Sequence, residues 1–149
     1  MPVTKRVEGF RFVGQTYIAG ANGVLRGIAL DVFSSSQFVL HVTVRDTTGG
    51  LPNDTILADT RLATGGTTLN DVIILPVAVS QVAGHRYAII VDYPEAPPAG
   101  PNQFQGVWQG ATGNVYARGG NVASNDGRTW TSFEADGFDQ HFQTYVSPN

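Results

Sequence analysis

Few side chains in this sequence could carry acid–base or nucleophilic chemistry. The chain has three histidines and no cysteine. Strand alternation predicts that His41 and His141 lie on the faces opposite their apolar neighbours, as exposed polar residues, and that His85 lies in a turn. The three serines at 34–36 are typical of a turn. Since no nucleophile elbow, zinc-protease motif or phosphate-binding loop is present, we predict no catalytic residues and no enzyme activity.

The acidic side chains could form two other kinds of site, a pair of glycosidase carboxyl groups or a calcium site. Glycoside cleavage needs two carboxyl groups about 5 to 9.5 Å apart, and the acids considered for such a pair are Asp92, Glu95, Glu134 and Asp136. No spacing singles out a pair among them, so a glycoside-active enzyme is the least favoured alternative. A structural calcium ion takes about six to eight oxygen ligands, and the candidate ligands are Asp126, Asp136 and Asp139. Capped turns explain the same residues without a metal, so a structural calcium is the one cofactor left open.

Aromatic and amide side chains are concentrated in the C-terminal half of the chain. They lie near a proline-rich stretch at 94–103, which predicts an exposed loop. An aromatic ring on a sheet face or loop rim can stack on a sugar while neighbouring amides bond the sugar hydroxyls. The candidate glycan-binding residues are Trp108, Tyr93, Tyr116, Gln105 and Gln109. The alternative is that most of these rings form one end of the core, and for Trp108 the sequence favours neither.

One short motif resembles a known turn. It reads Ser124-Asn125-Asp126-Gly127-Arg128-Thr129-Trp130. It resembles the Asp-box hairpin, S-x-D-x-G-x-T-W, which occurs in sialidase propellers and in unrelated β-proteins, but it has one residue fewer between Asp126 and Gly127. The resemblance implies that Asp126 caps turn amides and that Trp130 packs under the hairpin, which is a structural role.

The elements that must position these residues are β-strands, because apolar side chains recur at every second position through much of the chain. Such alternation places the apolar residues on one face of a half-buried strand. The inward set predicted from the most regular runs is Phe38, Leu40, Val42, Val44, Ile89 and Val91. Turn-forming residues separate the runs, and residues 46–55 are predicted to be a long loop.

This pattern predicts one all-β domain over residues 1–149. We expect an antiparallel two-sheet β-sandwich of jelly-roll type, with one face of each sheet buried and the other wet. A closed barrel is the alternative architecture. A chain of this length can bury a sizeable core without disulfides, so the absence of cysteine does not conflict with the fold.

Composition argues against several functional classes. The formal net charge is −3, there is one lysine, and the arginines are scattered, so no basic face is predicted for nucleic acid. No apolar run has the length of a membrane span, and the first residues lack the apolar core of a signal peptide. Charged residues make up only 14% of the chain, which is typical of extracellular and virion proteins that rely on uncharged polar side chains for solubility.

Four segments, in their order along the chain, carry a resemblance to a class of proteins. They read LPNDTILAD at 51–59, VAGHRYAIIVDY at 82–93, DGRTW at 126–130 and DQHFQTYV at 139–146. In this order they resemble a loosely defined class of small bacterial and phage β-sandwich domains. The resemblance implies a generally non-catalytic module, of the kind found as accessory or carbohydrate-binding-like domains of secreted proteins or as decoration of virions.

These observations favour a structural or surface module, on a virion or at the cell surface, that serves decoration or adhesion. Low charge and flat β-surfaces predict that it associates with copies of itself, in a symmetric oligomer, or with a larger protein surface. The alternative is a carbohydrate-binding module of a secreted bacterial protein, with a glycan as its partner. We expect a virion or extracellular location, no nucleic-acid partner and no membrane insertion.

Overall fold

A computed structural model describes residues 11–30, 32–33, 39–63, 68–69, 72–92, 107–108, 110–111, 119–133, 139–140 and 142–148. Every regular element in these ranges is a β-strand, and none of them contains a helix that could span a membrane. The strands are β1 (Phe12–Ile18), β2 (Gly23–Leu30), β3 (Val32–Phe33), β4 (Val39–Thr48), β5 (Leu51–Ala63), β6 (Thr68–Leu69), β7 (Val72–Gln81), β8 (Arg86–Asp92), β9 (Val107–Trp108), β10 (Gly110–Ala111), β11 (Asn121–Ser124), β12 (Thr131–Ser132), β13 (Asp139–Gln140) and β14 (Phe142–Ser147).

Two antiparallel sheets dominate the fold. The large sheet has six strands in the order β12-β11-β1-β8-β4-β5, and the small sheet has three in the order β14-β2-β7. Two short ladders, β6-β3-β9 and β10-β13, accompany them. The predicted fold class, an all-β antiparallel two-sheet sandwich, is confirmed. The jelly-roll type stays a prediction.

The main hydrophobic core lies between the two sheets. It joins residues of β4 and β8 in the large sheet to residues of β2 and β7 in the small sheet, and its fully buried members include Leu25, Ile28, Leu40, Val42, Val44, Ile89 and Val91. Full burial of one such side chain contributes about 1.5–3 kcal/mol. The five described members of the predicted inward set are therefore confirmed, and Phe38 lies outside the described residues.

A tight hairpin replaces the predicted loop at 46–55. β4 continues to Thr48 and β5 begins at Leu51, so that only Gly49 and Gly50 lie between them. Their φ angles are 63° and 83°, and two successive positive φ values are what a type I′ hairpin turn needs. The loop prediction was wrong because two glycines suffice for the turn, and the polar residues on either side pair in the ladder.

The centre of the large sheet is buried on both faces. Residues 87–92 of β8 are all buried. On the outer face, away from the small sheet, Ala88, Ile90, Val122 and Trp130 form a second apolar cluster. The prediction of one wet face per sheet is therefore wrong here, because Trp130 and its neighbours cover the outer side of β8.

Candidate functional site on the outer face of the large sheet

Three neighbouring strands bring acidic and basic side chains together on the outer face of the large sheet. His41 of β4 pairs in register with Asp92 of β8 on one side and with Arg61 of β5 on the other. Asp59 lies two residues from Arg61 along β5 and is therefore diagonal to His41. Direct and diagonal neighbours across antiparallel strands share a face. We call Asp59, His41 and Asp92 the histidine clasp.

Both ring nitrogens of His41 contact a carboxylate in the histidine clasp. Nδ1 lies 3.0 Å from Asp92 Oδ1, and Nε2 lies 2.7 Å from Asp59 Oδ1. A neutral imidazole has one donor and one acceptor nitrogen, whereas the doubly protonated ring has two donors. This geometry links β4 to both of its neighbours.

The two carboxylates of the clasp differ in their exposure to water. The side chain of Asp59 is 52% exposed, whereas that of Asp92 is 6% exposed. Burial raises the pKa of Asp92, while His41, followed by Arg11 and Arg61, acts in the opposite direction. His41 therefore stabilises a charge at Asp92 that burial penalises.

The histidine clasp leaves His41 without a free ring nitrogen. A general base must accept a proton, and a metal ligand must offer a lone pair, but both nitrogens here face carboxylate oxygens. A pair of glycosidase carboxyls also needs the sugar bond between them, and the His41 ring lies between Asp59 and Asp92. The arrangement is suited to holding three strands together.

Sequence reasoning did not find the histidine clasp. It predicted His41 as an exposed polar residue, but the side chain is only 17% exposed. Alternation assigned His41 correctly to the outer face. The acids that oppose it depend on the registers of β4 with β5 and β8, and no local signal in the sequence reports those registers.

Residues 124–130 form a hydrogen-bonded turn beside this site. Asp126 Oδ1 accepts hydrogen bonds from the backbone N–H groups of Arg128 and Thr129, at 2.8 and 2.7 Å, and from Ser124 Oγ at 3.0 Å. Ser124 Oγ in turn accepts from the Gly127 N–H at 2.9 Å. The turn amides hold the pKa of Asp126 well below its ordinary value. The structure places Asp126 in the capping position that the Asp-box resemblance implied, although the motif is one residue short.

Trp130 fastens this turn to the outer face of the large sheet. Its side chain is 8% exposed, and its ring meets that of Phe12 edge to face, with the centroids 6.4 Å apart. The Arg45 guanidinium lies 5.6 Å from the Trp130 ring centroid, and its Nη1 donates to the Gly127 carbonyl at 2.8 Å. The indole Nε1 is buried without a hydrogen-bond partner within the described ranges, so Trp130 stabilises the turn by packing.

His85 forms a smaller pair at one end of the sheet. It follows the turn between β7 and β8, as predicted, and its Nε2 contacts Asp46 Oδ1. This hydrogen bond, together with one from the backbone N–H of Thr47, lowers the pKa of Asp46. His85 also meets the Tyr87 ring edge to face. The pair therefore ties the turn to β4.

The remaining predicted site residues are only partly placed by the structure. Trp108 is the second residue of β9 and Asp139 the first of β13, but their side chains are not described. The others lie outside the described residues: Tyr93, Gln105, Gln109, Tyr116 and Asp136. In the described part of the chain, no three histidine, aspartate or glutamate side chains are grouped so that they could hold a metal. Calcium and glycan binding stay predictions.

Comparisons with known proteins add no further constraint. No protein family, curated protein or solved structure matches the chain.

Proposed function

We propose that this chain is a non-catalytic structural module of a virion or a cell surface, which acts by presenting its surface to copies of itself or to a larger protein. The observation that carries the proposal is the histidine clasp. One histidine and two aspartates, residue types well suited to chemistry, are bonded to one another across three strands. Asp126 and Asp46 are likewise bonded to nearby groups of the fold. Each of these groups has its hydrogen-bond partners within the fold.

The distribution of apolar side chains supports the associative part of the proposal. The large apolar residues exposed in the described part of the chain are Ile56, Val82, Tyr145 and Val146. Only 14% of the residues in the sequence are charged. Covering a surface that has few charges and exposes apolar side chains near strand edges costs little desolvation free energy. Association with another β-surface is the use that fits it best.

Analytical ultracentrifugation of the full chain tests self-association. We expect an oligomer at concentrations up to about 100 µM, which dissociates on dilution by mass action. A monomer throughout the series contradicts the self-association. Hydrolysis of chromogenic glycosides tests the other part of the proposal, because activity that disappears in a folded Asp92→Asn variant contradicts a non-catalytic role.

Carbohydrate binding is the second candidate, and the place of Trp108 supports it. Trp108 lies on β9, which pairs with β3 and forms one edge of the β6-β3-β9 ladder. An aromatic residue on an edge strand is well placed to meet a ligand at the rim. A glycan-array signal that disappears in a stably folded Trp108→Ala variant supports sugar binding. We expect instead that Trp108→Ala lowers the free energy of unfolding by about 3–5 kcal/mol or dissociates the oligomer.

A further inference from the structure

The sequence contains one Asn-Gly pair, at residues 22–23, in the turn between β1 and β2. An asparagine before glycine is prone to deamidation, because glycine has no side chain to hinder attack of its backbone nitrogen on the preceding amide. In this reaction the Gly23 nitrogen loses its proton and bonds to Cγ of Asn22, and Nδ2 takes up a proton and leaves as ammonia. Water then opens the succinimide ring to aspartate or isoaspartate. Asn22 is exposed to that water.

The fold requires glycine at position 23. Gly23 is buried at the first position of β2, in register with Gln81 of β7. A Cβ built on Gly23 would lie 2.6 Å from both the Ser147 carbonyl oxygen and Val146 Cγ1 of β14, which is closer than Cβ atoms approach other atoms in proteins. A larger residue at this position would therefore have to displace β14, and the reactive pair is a consequence of the packing.

The Asn22 side chain is held by the neighbouring turn between β7 and β8. Its Oδ1 accepts a hydrogen bond from the backbone N–H of Ala83 at 2.8 Å. Two backbone hydrogen bonds join the same turns, from the Gly84 N–H to the Ala19 carbonyl and from the Ala19 N–H to the His85 carbonyl, both at 2.9 Å. Ring closure must bring Cγ to bonding distance of the following backbone nitrogen. A side chain fastened to another turn lacks part of the freedom that this approach needs.

We infer that Asn22 is a site of spontaneous deamidation, and that the Ala83 N–H restrains it so that the reaction takes place when the two turns separate. We call the hydrogen bond from Ala83 to Asn22 the turn latch. Surface turns open locally at a lower free-energy cost than the whole fold. The folded chain therefore reacts at a rate set by the opening of this end of the sandwich.

The two products differ in how well they fit the fold. Aspartate at position 22 keeps an oxygen acceptor for the Ala83 N–H and adds one negative charge. Isoaspartate also adds a methylene group to the main chain immediately before Gly23, which has no spare room against Ser147. We expect the isoaspartate form to lose the end of the pairing between β2 and β14, and to unfold at a lower urea concentration than the aspartate form.

Peptide mapping by mass spectrometry tests the site in the wild-type chain. Folded protein and protein unfolded in urea are incubated in the same mildly alkaline buffer. We expect Asn22 to be converted in urea and to react at least about tenfold more slowly in the folded chain. Asn53 is an internal reference, because its Oδ1 also accepts a backbone N–H, that of Thr55 at 2.8 Å, but aspartate follows it. We expect Asn53 to react more slowly than Asn22 in urea.

Ala83→Pro tests the turn latch, because proline has no backbone N–H to donate. The His85 N–H donates to the Val82 carbonyl at 3.1 Å, and the φ of Gly84 is 84°. These are features of a type II turn, in which proline is common at the second position, that of Ala83. Ala83→Ser is the matched control that keeps the N–H. We expect Ala83→Pro to raise the rate in the folded chain about fivefold or more, and Ala83→Ser to leave it unchanged.

Thermal unfolding verifies that each variant is folded, and the wild-type comparison decides the matter if Ala83→Pro is not. Equal rates for Asn22 in the folded chain and in urea would overturn the turn latch. A folded Ala83→Pro chain that keeps the wild-type rate would overturn it as well. An Asn22 that retains its amide in urea, while other asparagines react, would overturn the site itself.

Discussion

Removal of the His41 side chain tests whether the histidine clasp stabilises the fold. His41→Ala deletes the hydrogen bonds to Asp92 and Asp59, at 3.0 and 2.7 Å. By distance alone, the hydrogen bond to Asp59 would be the stronger of the two. However, the Asp92 side chain is only 6% exposed, whereas that of Asp59 is 52% exposed. An exposed ion pair contributes about 0–1 kcal/mol, and a hydrogen bond to a buried charged group contributes about 1.5–3 kcal/mol. We expect His41→Ala to lower the free energy of unfolding by about 2–4 kcal/mol.

Double-mutant cycles separate the two halves of the clasp. Urea unfolding at neutral pH gives the free energy for each single and double variant, with Asp92→Asn and Asp59→Asn as the partner changes. We expect a coupling energy of about 1.5–3 kcal/mol between His41 and Asp92, and below about 1 kcal/mol between His41 and Asp59. Asp92→Asn alone should cost little, because burial already penalises the charge that it removes.

The pH dependence of stability gives an independent check. Without His41, the pKa of Asp92 should rise further, because a group that favours its carboxylate is lost. An acid with a higher pKa in the folded than in the unfolded state contributes stability that is lost as the pH rises from its ordinary value of 3.8 through the raised pKa. The deficit of His41→Ala should therefore be small near the ordinary pKa and should grow as the pH rises through the raised pKa. Equal coupling to both aspartates, or a deficit that does not vary with pH, would refute the reasoning.

Three further substitutions test other parts of the fold by urea unfolding. Trp130→Ala should lower the free energy of unfolding by about 3–5 kcal/mol, because the ring is 8% exposed and supports Arg45; a loss below about 1 kcal/mol contradicts this packing role. Asp126→Ala should reduce the acid sensitivity of the fold, because the lowered pKa of Asp126 contributes stability that is present above its ordinary pKa and lost as the pH falls; an unchanged acid profile contradicts it. Gly119→Ala should cost more than about 3 kcal/mol, because the new Cβ would lie next to the Thr16 backbone carbonyl oxygen; a variant of normal stability contradicts that contact.

Strand alternation predicted the core well because it depends only on local geometry. Leu40, Val42 and Val44 share one parity on β4, and one buried sheet face is enough to make all three inward. The same approach failed at 46–55, where Pro52 and the neighbouring polar residues were counted as loop formers. Pro52 lies on β5, an edge strand of the large sheet, where the missing backbone N–H costs little.

The same distinction between local and distant contacts explains which parts of the candidate site could be predicted from the sequence. The capping role of Asp126 could be predicted because its partners lie within three residues. The histidine clasp joins His41 to residues 18 and 51 positions away. Their meeting depends on two strand registers and on the order of three strands in the sheet, none of which alternation specifies.

Burial of both faces of β8 also constrains how this sandwich can associate. The sequence predicted that self-association would use the flat, solvent-exposed faces of the sheets. On the large sheet, however, Trp130 and Arg45 already cover part of the outer face, and the clasp fills the positions beside it. A second copy docked there would have to displace packed side chains or desolvate the charge of Asp59, which is 52% exposed. The outer face of the large sheet is therefore a poor surface for the self-association that we propose.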